Sequence, residues 1–172
     1  MAESRKTSHI ELTFKSQVEQ LDDRFFYEPM LSGHPSAELD PIKFCGKQMN
    51  YPIWVSSMTG GADLAGRINK NLAESVGKYG LRMGLGSCRQ LLDSDKFFDD
   101  FNLRPILGKE VPLFANIGIA QVEQLIKIGG LGKLEDMVGR LDADGIFLHV
   151  NPLQEWMQPE GDIYHISPLD AV

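Results

Sequence analysis

Polar side chains that can form hydrogen bonds cluster at four points of the sequence, each at the end of a short apolar run. The runs cover residues 53–57, 81–85, 111–115 and 145–150. Hydroxyl and amide groups suit the polar edge of a planar heterocycle, and glycines among them allow a ligand to approach the backbone. These positions therefore predict one ligand site built from four loops. Its uncharged candidates are Ser57, Thr59, Ser87, Asn116, His149, Asn151 and Gln154.

Two charged residues beside these groups suit a phosphorylated ligand. Arg89 offers a guanidinium fork for a phosphate or a carboxylate. Glu155 is an oxygen ligand of the kind that holds Mg²⁺ together with substrate phosphates. Taken singly, each residue also fits a turn, a cap or a solvated surface, and the agreement of four loops favours a site. Cys88 is expected to fill space in the core, because the sequence identifies no group that would activate its thiol.

The apolar runs alternate with segments of helical periodicity, which predicts a parallel sheet with helical crossovers. Two architectures fit this order, an open doubly wound sheet or part of a (βα) barrel. Both place the working residues at the carboxyl ends of the strands. Helices are predicted over 63–79, 93–101 and 121–141, the last interrupted near Gly129, and another is expected to begin at Pro168.

Residues 1–50 are predicted to form an arm and capping segment, and residues 51–172 the four strands, within a single domain. The arm contains a helix or an irregular stretch over 11–28, a short strand at 42–45 and a turn at Gly46-Lys47. Near its start lie Arg5, Lys6 and His9. These cations belong either to a solvated terminus or to an arm that folds over an anionic ligand.

Composition narrows the class of protein. The 172 residues carry a net charge of −7, with 24 acidic and 17 basic side chains, which disfavours a broad nucleic-acid binder. Cys45 and Cys88 have no metal-like spacing and are expected to be free thiols of a cytoplasmic protein. We expect no signal peptide and no membrane helix. The glycine pattern of a dinucleotide-binding fold is also missing.

Several motifs, in order along the whole chain, resemble the type 2 isopentenyl-diphosphate Δ-isomerase family. The most specific is the pair formed by His149-Val150-Asn151-Pro152-Leu153-Gln154-Glu155 and Gln158-Pro159-Glu160-Gly161-Asp162. The others are Arg5-Lys6-Thr7-Ser8-His9-Ile10, Ser57-Met58-Thr59-Gly60-Gly61, Gly86-Ser87-Cys88-Arg89 and Ala115-Asn116-Ile117-Gly118.

The resemblance implies a flavoenzyme on a (βα)₈ barrel. Such enzymes interconvert isopentenyl diphosphate and dimethylallyl diphosphate with reduced FMN and Mg²⁺, and NADPH is the usual reductant of the flavin. The chain shows no obvious strong acid of its own, which agrees with a cofactor acting in proton transfer. Only four strand–helix units are counted, so we expect this chain to be the N-terminal half of the enzyme and to be inactive alone. The full-length protein is expected to be a homo-oligomer.

The resemblance also implies roles for matching residues. The flavin would contact Ser57, Met58, Thr59, Ser87 and Asn116. The diphosphate substrate would contact Arg5, Lys6, His9, Ser87, Cys88, Arg89, His149, Asn151 and Gln154. Gln154 and His149 are the implied catalytic residues and Glu155 the implied Mg²⁺ ligand. The family usually has Gln in place of Cys88, and since a thiol is a weak hydrogen-bonding group, a backbone contact is favoured there.

Two alternatives remain. One is another FMN barrel of the 2-hydroxy-acid oxidase type, whose catalytic His and Arg would come from later strands; the Gln154-Glu155 pair and the Arg5-Lys6 arm argue against it. The other is a non-catalytic half-barrel that serves as an assembly module, because two exposed strand edges invite association.

Overall fold

The computed structural model describes residues 11–13, 15, 30, 33, 40–57 and 59–171. Residues 11–13 and 15 are helical. Strands β1 (Ile42–Phe44) and β2 (Lys47–Met49) form an antiparallel hairpin. Its two turn residues, Cys45 and Gly46, have φ angles of 50° and 77°, as two-residue hairpin loops require. The predicted strand is confirmed, but the turn lies one residue earlier than Gly46-Lys47.

The main sheet has four parallel strands, which confirms the predicted crossover architecture. They are β3 (Trp54–Val55), β4 (Arg82–Gly84), β5 (Leu113–Gly118) and β6 (Gly145–His149). Their order across the sheet is β3-β4-β5-β6, the same as along the chain. All carboxyl ends consequently meet at one edge, where Gly118 pairs with His149.

The first crossover helix, α1 (Asp63–Tyr79), has the predicted bounds. Gly80 ends it with a left-handed conformation, φ 64° and ψ 44°, and its amide donates to the Val76 carbonyl. The four-residue spacing of Leu64, Ile68, Leu72 and Val76 predicts an apolar stripe on this helix, and that prediction is only partly right. The side chains buried deepest are Ala65, Asn69, Ala73 and Val76, each at most 2% exposed.

The later helices agree with the pattern in part. Residues 121–141 form two helices, as predicted from the glycines. Residues 168–170 form a turn instead of beginning a helix, because Ser167 accepts the amides of Leu169 and Asp170. The remaining helices are a 3₁₀ turn (Arg89–Leu92), α2 (Phe98–Phe101), α3 (Arg104–Leu107), α4 (Ile119–Lys127), α5 (Gly132–Arg140) and α6 (Pro152–Met157).

Alternation along the strands divides the sheet into two faces. Met83, Leu113 and Ala115 are buried in a core that includes residues of α1 and α5. The alternate strand positions, such as Phe114 between Leu113 and Ala115, point to the opposite face of the sheet, and their side chains form an aromatic face. Phe114 stacks on Phe147 at 5.0 Å between ring centroids. The aromatic face comprises Trp54, Phe114 and Phe147, with Phe44 of the hairpin packed against it.

Asp144 joins the hairpin to the amino-terminal edge of the sheet. Its carboxylate lies 2.6 Å from Lys47 Nζ and 3.1 Å from Arg104 Nη2, and it accepts the Leu113 amide at 2.9 Å. Burial alone would raise the pKa of Asp144, but these three donors outweigh burial and lower the pKa below its ordinary 3.8. No helix among the described residues is long and apolar enough to cross a membrane.

Candidate functional site

An open cavity of about 1340 Å³ lies at the carboxyl ends of the four parallel strands. Trp54 and Phe147 of the aromatic face line it. Polar groups from all four strand ends surround them, as the sequence pattern predicts. The predicted site residues that line the cavity are Ser57, Thr59, Ser87, Arg89, Asn116, His149, Asn151, Gln154 and Glu155.

Two glycines let the end of β4 and the loop after it approach the loop after β3. A Cβ on Gly84 would lie 2.6 Å from Ser57 Oγ, and one on Gly86 would lie 2.5 Å from the carbonyl carbon of Thr59. The Gly86 amide also donates to the Thr59 carbonyl oxygen at 3.1 Å. Gly86, one of the glycines expected to let a ligand approach the backbone, therefore serves contact within the protein, as Gly84 does.

Asn69 on α1 holds the loop that contains Thr59, and sequence reasoning missed it. Its side chain is 2% exposed. The Thr59 hydroxyl donates to Asn69 Oδ1, and Asn69 Nδ2 donates to the carbonyl oxygens of Thr59 and Asp100 at 3.3 and 2.9 Å. A signal existed in the sequence, because Asn69 is the polar member of the stripe that includes Ala65 and Ala73.

Asp162, which belongs to a motif of the resemblance but was assigned no role in the site, links three elements at the cavity. Arg89 Nη1 donates to Asp162 Oδ2, and Gln121 Nε2 at the start of α4 donates to the same oxygen at 3.0 Å. The Asp162 amide donates to Glu155 Oε2 at 2.8 Å. Arg89 keeps further guanidinium donors beyond the one used here, since the group has five, so it remains able to bind an anion.

Glu155 fits a Mg²⁺ site in which a bound molecule supplies the other coordinating oxygens. The half-buried carboxylate accepts one hydrogen bond on each oxygen, at 2.9 Å from Asn151 Nδ2 and at 2.8 Å from the Asp162 amide. Each oxygen has a second lone pair for a cation. Within the described part of the chain, no group of three or more His, Cys, Asp or Glu side chains could hold a metal. One carboxylate plus phosphate oxygens is an ordinary Mg²⁺ environment.

The donor set also fits a planar heterocycle. Asn116 is 8% exposed on β5 and lines the cavity beside Phe147, its neighbour in the β5–β6 register. Aromatic faces and a few buried polar groups are what ligand sites of this kind combine. His149 and Gln154 are exposed at the rim, and Asn151 Nδ2 lies 3.4 Å from Gln154 Oε1.

Cys88 does not line the cavity. It is fully buried in the main core, its amide donates to the Asn116 carbonyl oxygen at 2.8 Å, and its own carbonyl accepts the Leu91 amide. The expectation that it fills core space is confirmed, whereas the implied substrate contact finds no support in this placement. Four predicted site residues, Arg5, Lys6, His9 and Met58, lie outside the described residues.

The sequence is similar to curated proteins named isopentenyl-diphosphate delta-isomerase. It is 36% identical to one from Nostoc sp. over 99% of this chain and 49% of that protein. It is 34% identical to one from Thermococcus kodakarensis (98% and 47%) and 32% identical to one from Pyrococcus furiosus (98% and 45%). No family model matches the sequence.

The chain spans about half the length of the curated relatives it matches. The similarity extends over nearly the whole chain, so the motifs quoted for the resemblance fall within it. The relatives carry the name of the isomerase that those motifs indicated, without the type or the cofactors.

Proposed function

We propose that this chain belongs to a type 2 isopentenyl-diphosphate Δ-isomerase, which interconverts isopentenyl and dimethylallyl diphosphate with reduced FMN and Mg²⁺. One observation carries the proposal. The Arg89 guanidinium and the Glu155 carboxylate line the same cavity as the uncharged hydrogen-bonding groups Ser57 and Asn116. An anion-binding side and a heterocycle-binding side thus share one space, as this reaction needs.

We further propose that the four strands form half of a (βα)₈ barrel. A doubly wound sheet reverses its strand order at a switch point, whereas a barrel keeps strand order equal to chain order. The order β3-β4-β5-β6 supports the barrel. The aromatic face would then point to the barrel interior, and the covered core would lie beneath the helices.

FMN would be held by Ser57, Met58, Thr59, Ser87 and Asn116. When bound and reduced by NADPH, it supplies proton transfer at the allylic carbons. The chain's own residues bind and orient the substrate. Trp54 and Phe147 would keep water from the isoprenoid carbons, and the amide of Gln154 and the imidazole of His149, which line the same cavity, would contact the substrate.

The diphosphate would be held by Arg89 and by Mg²⁺ on Glu155, with Asn151 and His149 beside them. Asp162 fixes both charged groups, because it pairs with Arg89 and donates its amide to Glu155. Arg5, Lys6 and His9 are proposed to supply further cations. Several cations are required, since a diphosphate carries several negative charges.

A chimera tests the proposed function. This chain would be joined to the part of the Nostoc relative that it does not cover, and conversion of isopentenyl diphosphate would be followed with FMN, NADPH and Mg²⁺. We expect dimethylallyl diphosphate to form, and the isolated chain to be inactive. A folded chimera that retains FMN but yields no product would contradict the proposal, and so would product formed equally without flavin.

A further inference from the structure

We propose that Asn69 is a positioning residue of the site. By accepting the hydrogen bond of the Thr59 hydroxyl, it leaves Thr59 Oγ1 only as an acceptor toward the cavity, so that any ligand group in contact with Oγ1 must be a donor. The inference rests on the proposed function in one respect, the identity of that ligand as a flavin.

The direction of the Thr59 hydrogen bond follows from the other contacts of Asn69. Asn69 Nδ2 lies 2.9 Å from the carbonyl oxygen of Asp100 and 3.3 Å from that of Thr59. Carbonyl oxygens only accept, so the NH₂ group must face them and Oδ1 must face the Thr59 hydroxyl. An amide oxygen has no proton to give. The hydroxyl is therefore the donor.

Burial makes this arrangement durable. Asn69 is 2% exposed, so little water can compete for its amide. Its three hydrogen bonds join α1 to α2 through Asp100 and to the loop after β3 through Thr59. A rotated amide would place its oxygen against the carbonyl oxygens of Thr59 and Asp100, where two acceptors repel, so the observed orientation is the favourable one.

The consequence for the ligand is chemical. A hydroxyl has one proton and two acceptor lone pairs. Thr59 lines the cavity, and with its proton engaged, any contact of Oγ1 with a ligand is an acceptor contact. A flavin offers N3–H in both redox states and N5–H only when reduced. Either N–H group of the flavin could donate to Thr59 Oγ1, and the experiment below distinguishes N3–H from N5–H.

Two substitutions separate positioning from mere packing. Asn69→Asp and Asn69→Leu both remove the NH₂ group from the two carbonyl oxygens. Only Asn69→Asp keeps an oxygen that can accept the Thr59 hydroxyl proton. Asn71→Leu is the matched control, because Asn71 is an exposed residue of the same type on the same helix.

The first measurement needs no cofactor. Urea unfolding of the full chain gives a double-mutant cycle between Asn69→Leu and Thr59→Val. We expect the two changes to be coupled by about tenfold in the unfolding equilibrium constant, as for one buried hydrogen bond. Additive effects would overturn the positioning role, whatever the ligand.

The second measurement uses FMN, oxidised and reduced, and 3-methyl-FMN, whose N3 has no hydrogen. Dissociation constants would be measured by anaerobic equilibrium dialysis, on the chain or, if the chain alone binds no FMN, on the chimera. We expect Asn69→Leu to weaken FMN binding about tenfold, with most of the loss restored in Asn69→Asp and no further loss in a Thr59→Val background. If Asn69→Leu weakens binding of reduced FMN only, the ligand donor is N5–H. If the unaltered protein binds 3-methyl-FMN much more weakly than FMN, the donor is N3–H.

The outcomes are distinguishable. Equal losses in Asn69→Asp and Asn69→Leu would overturn the inference and leave the proposed function intact. If neither the chain nor the chimera binds FMN in any form, the flavin is refuted both as the ligand of Thr59 and as the proposed cofactor.

Discussion

Glu155 is the residue on which the proposed metal chemistry depends. Replacing it by Gln keeps an oxygen for Asn151 or for the Asp162 amide but removes the charge that would bind Mg²⁺. We expect Mg²⁺-dependent binding of pyrophosphate to weaken at least about tenfold, measured by calorimetry with and without the metal. Glu160→Gln is the control, because Glu160 is a second carboxylate at the cavity. Unchanged Mg²⁺ dependence in Glu155→Gln would remove the metal role.

Gly86 tests whether close approach of two loops holds the site together. Its missing Cβ would overlap the backbone of Thr59, which cannot move as a flexible side chain does. We expect Gly86→Ala to lower the free energy of unfolding by about 1–3 kcal/mol, measured in urea.

The control for that prediction has the opposite expected sign. A Cβ on Gly139 of α5 meets nothing within 4 Å, and Ala favours a helix over Gly by about 0.5–1 kcal/mol. Gly139→Ala should therefore be neutral or stabilising. If both substitutions were equally harmless, the tight contact at Gly86 would have no energetic role.

Single residues also mark how far sequence reasoning reaches. Glu155 and Asn116 were predicted from residue type and from their place after a strand, and both line the cavity. Cys88 follows the same strand end as Ser87, yet its side chain turns into the core. One residue of chain separates a cavity position from a core position, and the conformation of the loop decides between them.

At the scale of elements, Glu123 fastens the segment after α6 to α4. Its carboxylate accepts the His165 amide at 2.6 Å and the Ile166 amide at 3.3 Å, and it pairs with Lys127. The pKa of Glu123 is lowered from 4.5 to about 2, mainly by the hydrogen bond from Lys127 and then by the one from the His165 amide. These hydrogen bonds outweigh desolvation, which raises the pKa.

This contact predicts a pH dependence of stability. Because the pKa is lower in the folded state, Glu123 stabilises the protein above pH 4.5, and the contribution is lost as the pH falls toward about 2. Glu123→Gln should lower the urea midpoint at neutral pH and flatten its decline over that acid range. Glu135→Gln, at an exposed position of α5, should leave the curve unchanged. A parallel shift of the curve in both variants would contradict the assignment.

Elements with strong local signals were the easiest to predict. Helix α1 has a four-residue apolar period and a glycine at its end, and its bounds were predicted correctly. Helix α6 was not predicted, and its residues were counted among the four loops. Proline is in fact tolerated in the first turn of a helix, where its missing amide has no partner to lose. The helix predicted at Pro168 was wrong, because Ser167 accepts hydrogen bonds from the Leu169 and Asp170 amides and a single turn forms there.

For the whole molecule, Asp144 connects the hairpin to the sheet. Asp144→Asn removes a charge that Lys47 and Arg104 both contact, and Arg104 is 8% exposed. We expect a loss of about 2 kcal/mol in unfolding free energy, typical of hydrogen bonds to charged groups. Since the pKa of Asp144 is lowered, the difference from the unaltered chain should shrink as the pH falls below 3.8.

Asp142→Asn provides the matched control. Asp142 is 65% exposed, lies 3.7 Å from Arg104, and has a φ of 47° that Asn accepts readily. Its substitution should change the urea midpoint little. Equal losses at both positions would show that the charge near Arg104 matters, and not the connection to the hairpin.

The sequence by itself determined the parallel strands, the helix boundaries set by periodicity and glycine, and the types of side chain that reach the carboxyl edge. These depend on local periodicity and on the rule that parallel strands end together. Only the tertiary structure decided that Asn69 accepts the hydrogen bond of the Thr59 hydroxyl and that Arg89 pairs with Asp162, 73 residues away. Such contacts depend on how separate loops meet in space, and no local pattern contains that information.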